Sequence, residues 1–133
     1  MSSPQPIQED IVTMPRRLAV RLMHAAQLAP ERAFRALVVS DSPSDLPDAM
    51  LPLDEDLDTD MAREGLLSKG RYPWALYWHR PGHTEAPAAE DFELGPDSLC
   101  LSSSLATKGV LQLHGWRCDQ NGHVHAVTVR MKD

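Results

Sequence analysis

Aromatic residues are scarce in this chain, cysteines number two, acids outnumber bases, and no long apolar run occurs. Each shortage excludes something. Without an apolar run of about eighteen residues there is no candidate for a membrane-crossing helix. The segment Met1 to Asp10 has neither a basic start nor a hydrophobic stretch, so it does not read as a signal peptide, and a cytoplasmic location is expected. Thirteen Lys and Arg against nineteen Asp and Glu give a net charge of -6. That balance disfavours nucleic-acid binding, which needs clustered cations on phosphate, and the one basic doublet, Arg16-Arg17, is too short to be a footprint. Cys100 and Cys118 are expected to be free, buried thiols, since a chain of 133 residues can bury a core without disulfides. With aromatics at 5%, Trp74, Trp78 and Trp116 are the rare large anchors, by default core residues, and one left partly exposed would mark an interaction surface. The glycines Gly65, Gly70 and Gly82 are isolated, which excludes a phosphate cradle.

What is present reads as one domain. Residues 1–12, with Pro4 and Pro6, read as a loose leader, and residues 13–133 as the domain. Thr13 and Pro15 suit the start of a helix whose apolar face is Leu18, Leu22, Ala25 and Ala29, stopped by Pro30. Phe34 to Val39 suits a buried strand. Pro43, Pro47 and Pro52 make 41–53 a loop, and a second helix follows with Leu53, Leu57 and Met61 on its buried face, closed by Lys69-Gly70. Strands are expected over 74–79, 98–105, 110–118 and 123–131, with a short helical turn at 90–94. Thr107-Lys108-Gly109 and Asp119 to Gly122 are the hairpin turns. The order α, β, α, β, short α, β, β, β predicts an α/β (α+β) fold, a mixed sheet with two main helices.

Several chemistries fail on spacing. Asp54, Glu55, Asp56, Asp58 and Asp60 lack the glycine and ligand spacing of a calcium loop, and suit the opening turns of a helix, whose dipole favours acids. Ser102, Ser103 and Ser104 lack the Gly-x-Ser-x-Gly turn of a serine hydrolase. His123 and His125 share one face of a strand near a hairpin, where His114 could approach them as an incidental metal site; solvent-facing histidines are the plainer account. His24 reads as a helix-surface residue.

The strings Trp74-Ala-Leu-Tyr-Trp-His-Arg-Pro81, Pro87-Ala-Ala-Glu-Asp91, Pro96-Asp-Ser-Leu and Ser104-Leu-Ala-Thr-Lys-Gly-Val-Leu-Gln-Leu113 carry a resemblance. In that order and spacing the chain resembles the bacterial JAB/MPN (JAMM) metallopeptidases over about residues 14–130. Those proteins have a strand ending in His-x-His-Pro, then Ser-x-x-Asp opening a helix, and a glutamate on the strand after the first helix. The resemblance implies a curved sheet of cytidine-deaminase-like architecture. In the family it implies zinc held by both histidines and the aspartate, with the glutamate as base for a zinc-bound water and the serine at the oxyanion.

At the matching positions stand Trp78 and Arg80 for the histidines, Ala88 for the serine and Ala33 for the glutamate; only Asp91 is retained. Neither an indole nor a guanidinium offers a lone pair to a metal. An Arg80–Asp91 ion pair with Trp78 filling the cavity is therefore expected in place of a metal. The resemblance then implies a non-catalytic binding or assembly protein without a cofactor. Its partner would be a second copy or another protein, with ubiquitin-like or sulfur-carrier proteins as clients. The alternative is a zinc peptidase with a relocated site of His79, His83 and Asp91 that recruits Glu85 or Glu90 as base. Pro81 and Gly82 break any helix that would put the two histidines on one face.

Overall fold

The computed structural model describes residues 10–28, 32–53, 58–80, 87–106 and 110–133, without the side chains of 104–106 and 110–112. The elements are β1 (Ile11–Pro15), α1 (Arg16–Leu28), β2 (Phe34–Ser40), β3 (Ala49–Leu53), α2 (Thr59–Ser68), β4 (Tyr72–His79), a 3₁₀ turn (Ala89–Asp91), β5 (Leu99–Ala106), β6 (Val110–Cys118) and β7 (Val124–Lys132). They form an α+β fold around one curled seven-stranded sheet of order β1-β7-β6-β5-β4-β2-β3. The β1–β7 and β4–β5 pairs are parallel and the others antiparallel. No described helix is long and apolar enough to cross a membrane.

Strand alternation sends two apolar sets to opposite faces of the sheet. On one face Met14, Ala36, Val38, Ala75, Tyr77, Leu99, Leu101 and Val127 pack against Leu18, Ala19, Leu22 and Ala26 of α1. On the other, Leu37, Val39, Leu53 and Leu76 receive Ala62 of α2. Beside them Trp78, Cys100 and Cys118 are covered by Phe92, just after the 3₁₀ turn. Both cysteines are free and buried, as expected. Gly115 is required by close approach of β7, because a Cβ there would lie 2.9 Å from the Val127 carbonyl oxygen.

Two strands depart from the sequence reading. Ile11, Val12 and Thr13 belong to β1, not to a leader and a helix cap, and α1 begins at Arg16. Residues 1–9 lie outside the described residues. The stretch expected as a loop to Leu53 contains β3, which tolerates Pro52 because its outer edge needs no ladder hydrogen bond. The apolar face of α1 centres on Leu22 and Ala26, with Ala25 only half-buried; Ala29 is outside the described residues.

In α2, Asp58 caps the helix by accepting from the Asp60 amide at 3.1 Å. Lys69 and the left-handed Gly70 close it. Its buried side is Thr59 and Ala62, with Leu66 half-buried; Met61 is 66% exposed, contrary to the expected face, and residues 54–57 are not described.

Candidate functional site

Opposed register partners line up Arg35, Trp78, Ser102 and His114 in a row across β2, β4, β5 and β6, on the α2 side of the sheet. Arg80 follows Trp78 by two residues and rises on the same face, where its guanidinium lies 4.4 Å from the centre of the Trp78 ring. Arg80 Nη2 donates to Asp91 Oδ1 at 2.7 Å, and the Ala88 amide donates to Asp91 Oδ2 at 2.9 Å. The carboxylate at the end of the 3₁₀ turn is thus held from both sides. Asp91 raises the pKa of Arg80 above its ordinary value, chiefly by accepting that hydrogen bond.

A second ion pair stands beside the first. Arg35 Nη1 binds Glu93 Oε2 at 2.8 Å and also donates to Thr59 Oγ1 at 3.1 Å, tying β2 to the start of α2 and to the loop after the 3₁₀ turn. Below these groups Trp78 is 2% exposed, and its indole N–H donates to Cys100 Sγ at 2.7 Å. Burial pushes the Cys100 thiol up to about 12, against the opposing indole hydrogen bond, so it stays protonated and unreactive. The half-exposed Trp116 donates to Ser102 Oγ at 3.1 Å and lies beside His114, ring centres 6.4 Å apart. On the opposite face the Tyr77 hydroxyl meets Ser103 Oγ at 2.5 Å, and burial raises the Tyr77 pKa.

The structure therefore gathers Trp78, Arg80, Ala88 and Asp91 at one place, with the expected Arg80–Asp91 pair formed. Ala33 directly precedes Phe34, whose partner across the sheet is His79, so its backbone leads into the same end of β2. These residues do not fit zinc: indole and guanidinium lack lone pairs, and both Asp91 oxygens already accept hydrogen bonds from the chain.

His79 is buried at 6% exposure, beside Phe34 and on the α1 side of β4, whereas Asp91 meets Arg80 on the α2 side. The sheet stands between them. His83, Glu85 and the Thr107 to Gly109 turn lie outside the described residues.

His123 and His125 are exposed, as expected, and His114 does not approach them. His114 lies on the Trp116 side, while His125 turns to the other face and meets Asp10 Oδ2 at 3.0 Å. His123 sits in the turn before β7 and lies 3.5 Å from Asp119. His24 is exposed on α1, as expected. Among the described residues no three His, Cys, Asp or Glu side chains are grouped to hold a metal.

Sequence reasoning missed the Arg35–Glu93 pair and the Trp78–Cys100 bond. Both join residues at least twenty-two positions apart and depend on strand register, for which the sequence carries no local signal.

Neither a family model nor a curated protein matches this chain. Solved structures do. Protein DSY2949 from Desulfitobacterium hafniense superposes with a TM-score of 0.69 at 17% identity, over 92% of this chain and 93% of that one. A protein from Salinibacter ruber gives a TM-score of 0.61 at 19% identity, over 91% of each chain. At such low identity these likenesses establish that the fold recurs over the whole domain.

Proposed function

We propose that this chain is a non-catalytic protein of JAB/MPN type that works as an interaction or assembly module. One observation carries the reading: the Arg80 guanidinium is salt-bridged to Asp91 at 2.7 Å while stacked 4.4 Å over Trp78, at the positions where the resemblance calls for metal ligands. A paired guanidinium supplies donors and shape but neither a lone pair nor an acidic water, so the cluster recognises or braces and does not break bonds. The partner is a second copy of the chain or another protein, with ubiquitin-like and sulfur-carrier proteins as the clients that the resemblance suggests. The relocated zinc peptidase is the rival reading, and the placement of His79 across the sheet from Asp91 weighs against it.

Metal content separates the two. Protein purified without metal affinity should carry far less than one zinc per chain. The double variant Trp78→His, Arg80→His should gain nearly one, because it adds two imidazoles beside Asp91 on one face. Near-stoichiometric zinc in the unmodified protein, lost on His83→Ala, would overturn the non-catalytic reading.

A further inference from the structure

Helix α1 opens against the usual charge rule. Arg16, Arg17 and Arg21 occupy its first turns and no acid does, although a helix N-terminus favours negative charge and the chain as a whole is acidic. Arg16 is neutralised by Asp133 at 2.6 Å. Arg17 and Arg21, one turn apart and exposed, have no ion pair or hydrogen bond among the described residues.

These two guanidiniums rim a groove of about 270 Å³ between α1 and the loop before β3, with Pro15, Leu18, Leu46 and Pro47 as its apolar lining. Leu46 is 42% exposed at the mouth. The single carboxylate on the lining, Asp48, is already held, together with Asp41, by Arg71. The groove thus presents the exposed Leu46 and the half-buried Pro15 beside two arginines that have no acidic partner among the described residues.

We propose that this groove docks an acidic segment of a partner protein, with one apolar side chain seated against Pro15 and Leu46 and flanking carboxylates on Arg17 and Arg21. Size and charge decide the occupant. At about 270 Å³, the low end of ligand-sized cavities, the groove has room for one side chain of a segment laid across it. Two arginines without an acidic partner among the described residues, on a protein of charge -6, fall well short of the six to ten phosphate contacts typical of polyanion binders. Guanidinium pairs carboxylate in bidentate fashion, and an acidic segment complements a cationic rim. The inference deepens the interaction-module reading by naming a surface and a partner chemistry, at a site on the opposite side of the sheet from Arg80 and Asp91.

The test uses the full chain and a short fluorescein-labelled peptide of glutamates and aspartates with one central leucine, followed by anisotropy. Binding is expected to weaken about tenfold on the double variant Arg17→Glu, Arg21→Glu and again on Leu46→Ser. It should be unchanged by Arg130→Glu, an exposed arginine elsewhere. Thermal melts of the variants check that all remain folded. Absence of peptide binding, or indifference to those substitutions, overturns the proposal. So does tighter binding of oligo-dT or phosphatidylserine vesicles through the same two arginines. A chain free of zinc that ignores the peptide sinks the groove and leaves the non-catalytic reading standing; stoichiometric zinc with peptide bound does the reverse.

Discussion

Trp78, near the end of β4, and Arg80, just past it, show what two side chains can do when they stand two residues apart. They share a face, so the cation can lie on the ring and still reach Asp91, and neither position alone would make the cluster. The side chain of Asp91 is 19% exposed and that of Arg80 36%, so the pair is only partly desolvated and its worth must be discounted for water. Arg80→Met should cost about 1 kcal/mol in urea unfolding, because Asp91 keeps the Ala88 amide but loses its cation. Adding Asp91→Asn should recover part of that loss, and a double-mutant cycle with no coupling would contradict the pairing. This part of the site was legible from residue types, because a partly buried carboxylate and an arginine near it in sequence pair favourably. The indole–thiol bond below was not, since nothing in the string around Cys100 points to Trp78.

At the level of elements, β2, β4, β5, β6 and β7 follow from their own apolar and β-branched runs, and α2 from its acidic start and glycine stop. The two missed strands are the outermost ones. An edge strand has one neighbour, so its sequence is less constrained. In β3 prolines hid the pattern, and in β1 the Thr13 and Pro15 pair imitated a helix start. What locks β1 down is remote: Asp10 accepts from Arg117 Nε at 2.7 Å and meets His125 at 3.0 Å, while its main-chain carbonyl accepts from the Thr128 amide at 2.8 Å. Burial alone would raise the Asp10 pKa, but the Arg117 and His125 hydrogen bonds outweigh it and hold the carboxyl below the ordinary range. A depressed folded pKa means stability that is present above the unfolded value near 3.9 and is lost as pH falls through the folded one. Thermal melts from pH 6 down to pH 2 should therefore show an acid-side loss that Asp10→Asn reduces. An identical pH profile in the two proteins would remove Asp10 from that role.

Taken whole, the molecule has α1 on one face and α2 on the other, with the Arg80–Asp91 cluster and the basic groove on opposite sides of one sheet. Its stability therefore depends on the sheet remaining continuous to both edges. Deleting residues 1–13 removes Asp10 and most of β1 while leaving Met14, fully buried, without its strand. That truncation should cost about 2 kcal/mol or more and lower Tm by roughly 5–10 °C, as read by circular dichroism. An unchanged melt would show that β1 adds nothing to the sheet.

The pairing of β1 with β7 also sets a timetable. Met14 lies opposite Met131 across a parallel ladder, so β1 has no neighbour in the sheet until β7, more than a hundred residues later in the chain, has been made. During most of synthesis Ile11 to Pro15 waits with its hydrogen-bonding edge bare, and α1 has nothing on which to lay Leu18 and Leu22 until the central strands arrive. Loop closure over such a span is slow. Until β7 pairs with it, β1 leaves an unpaired strand edge of the kind that chaperones cover.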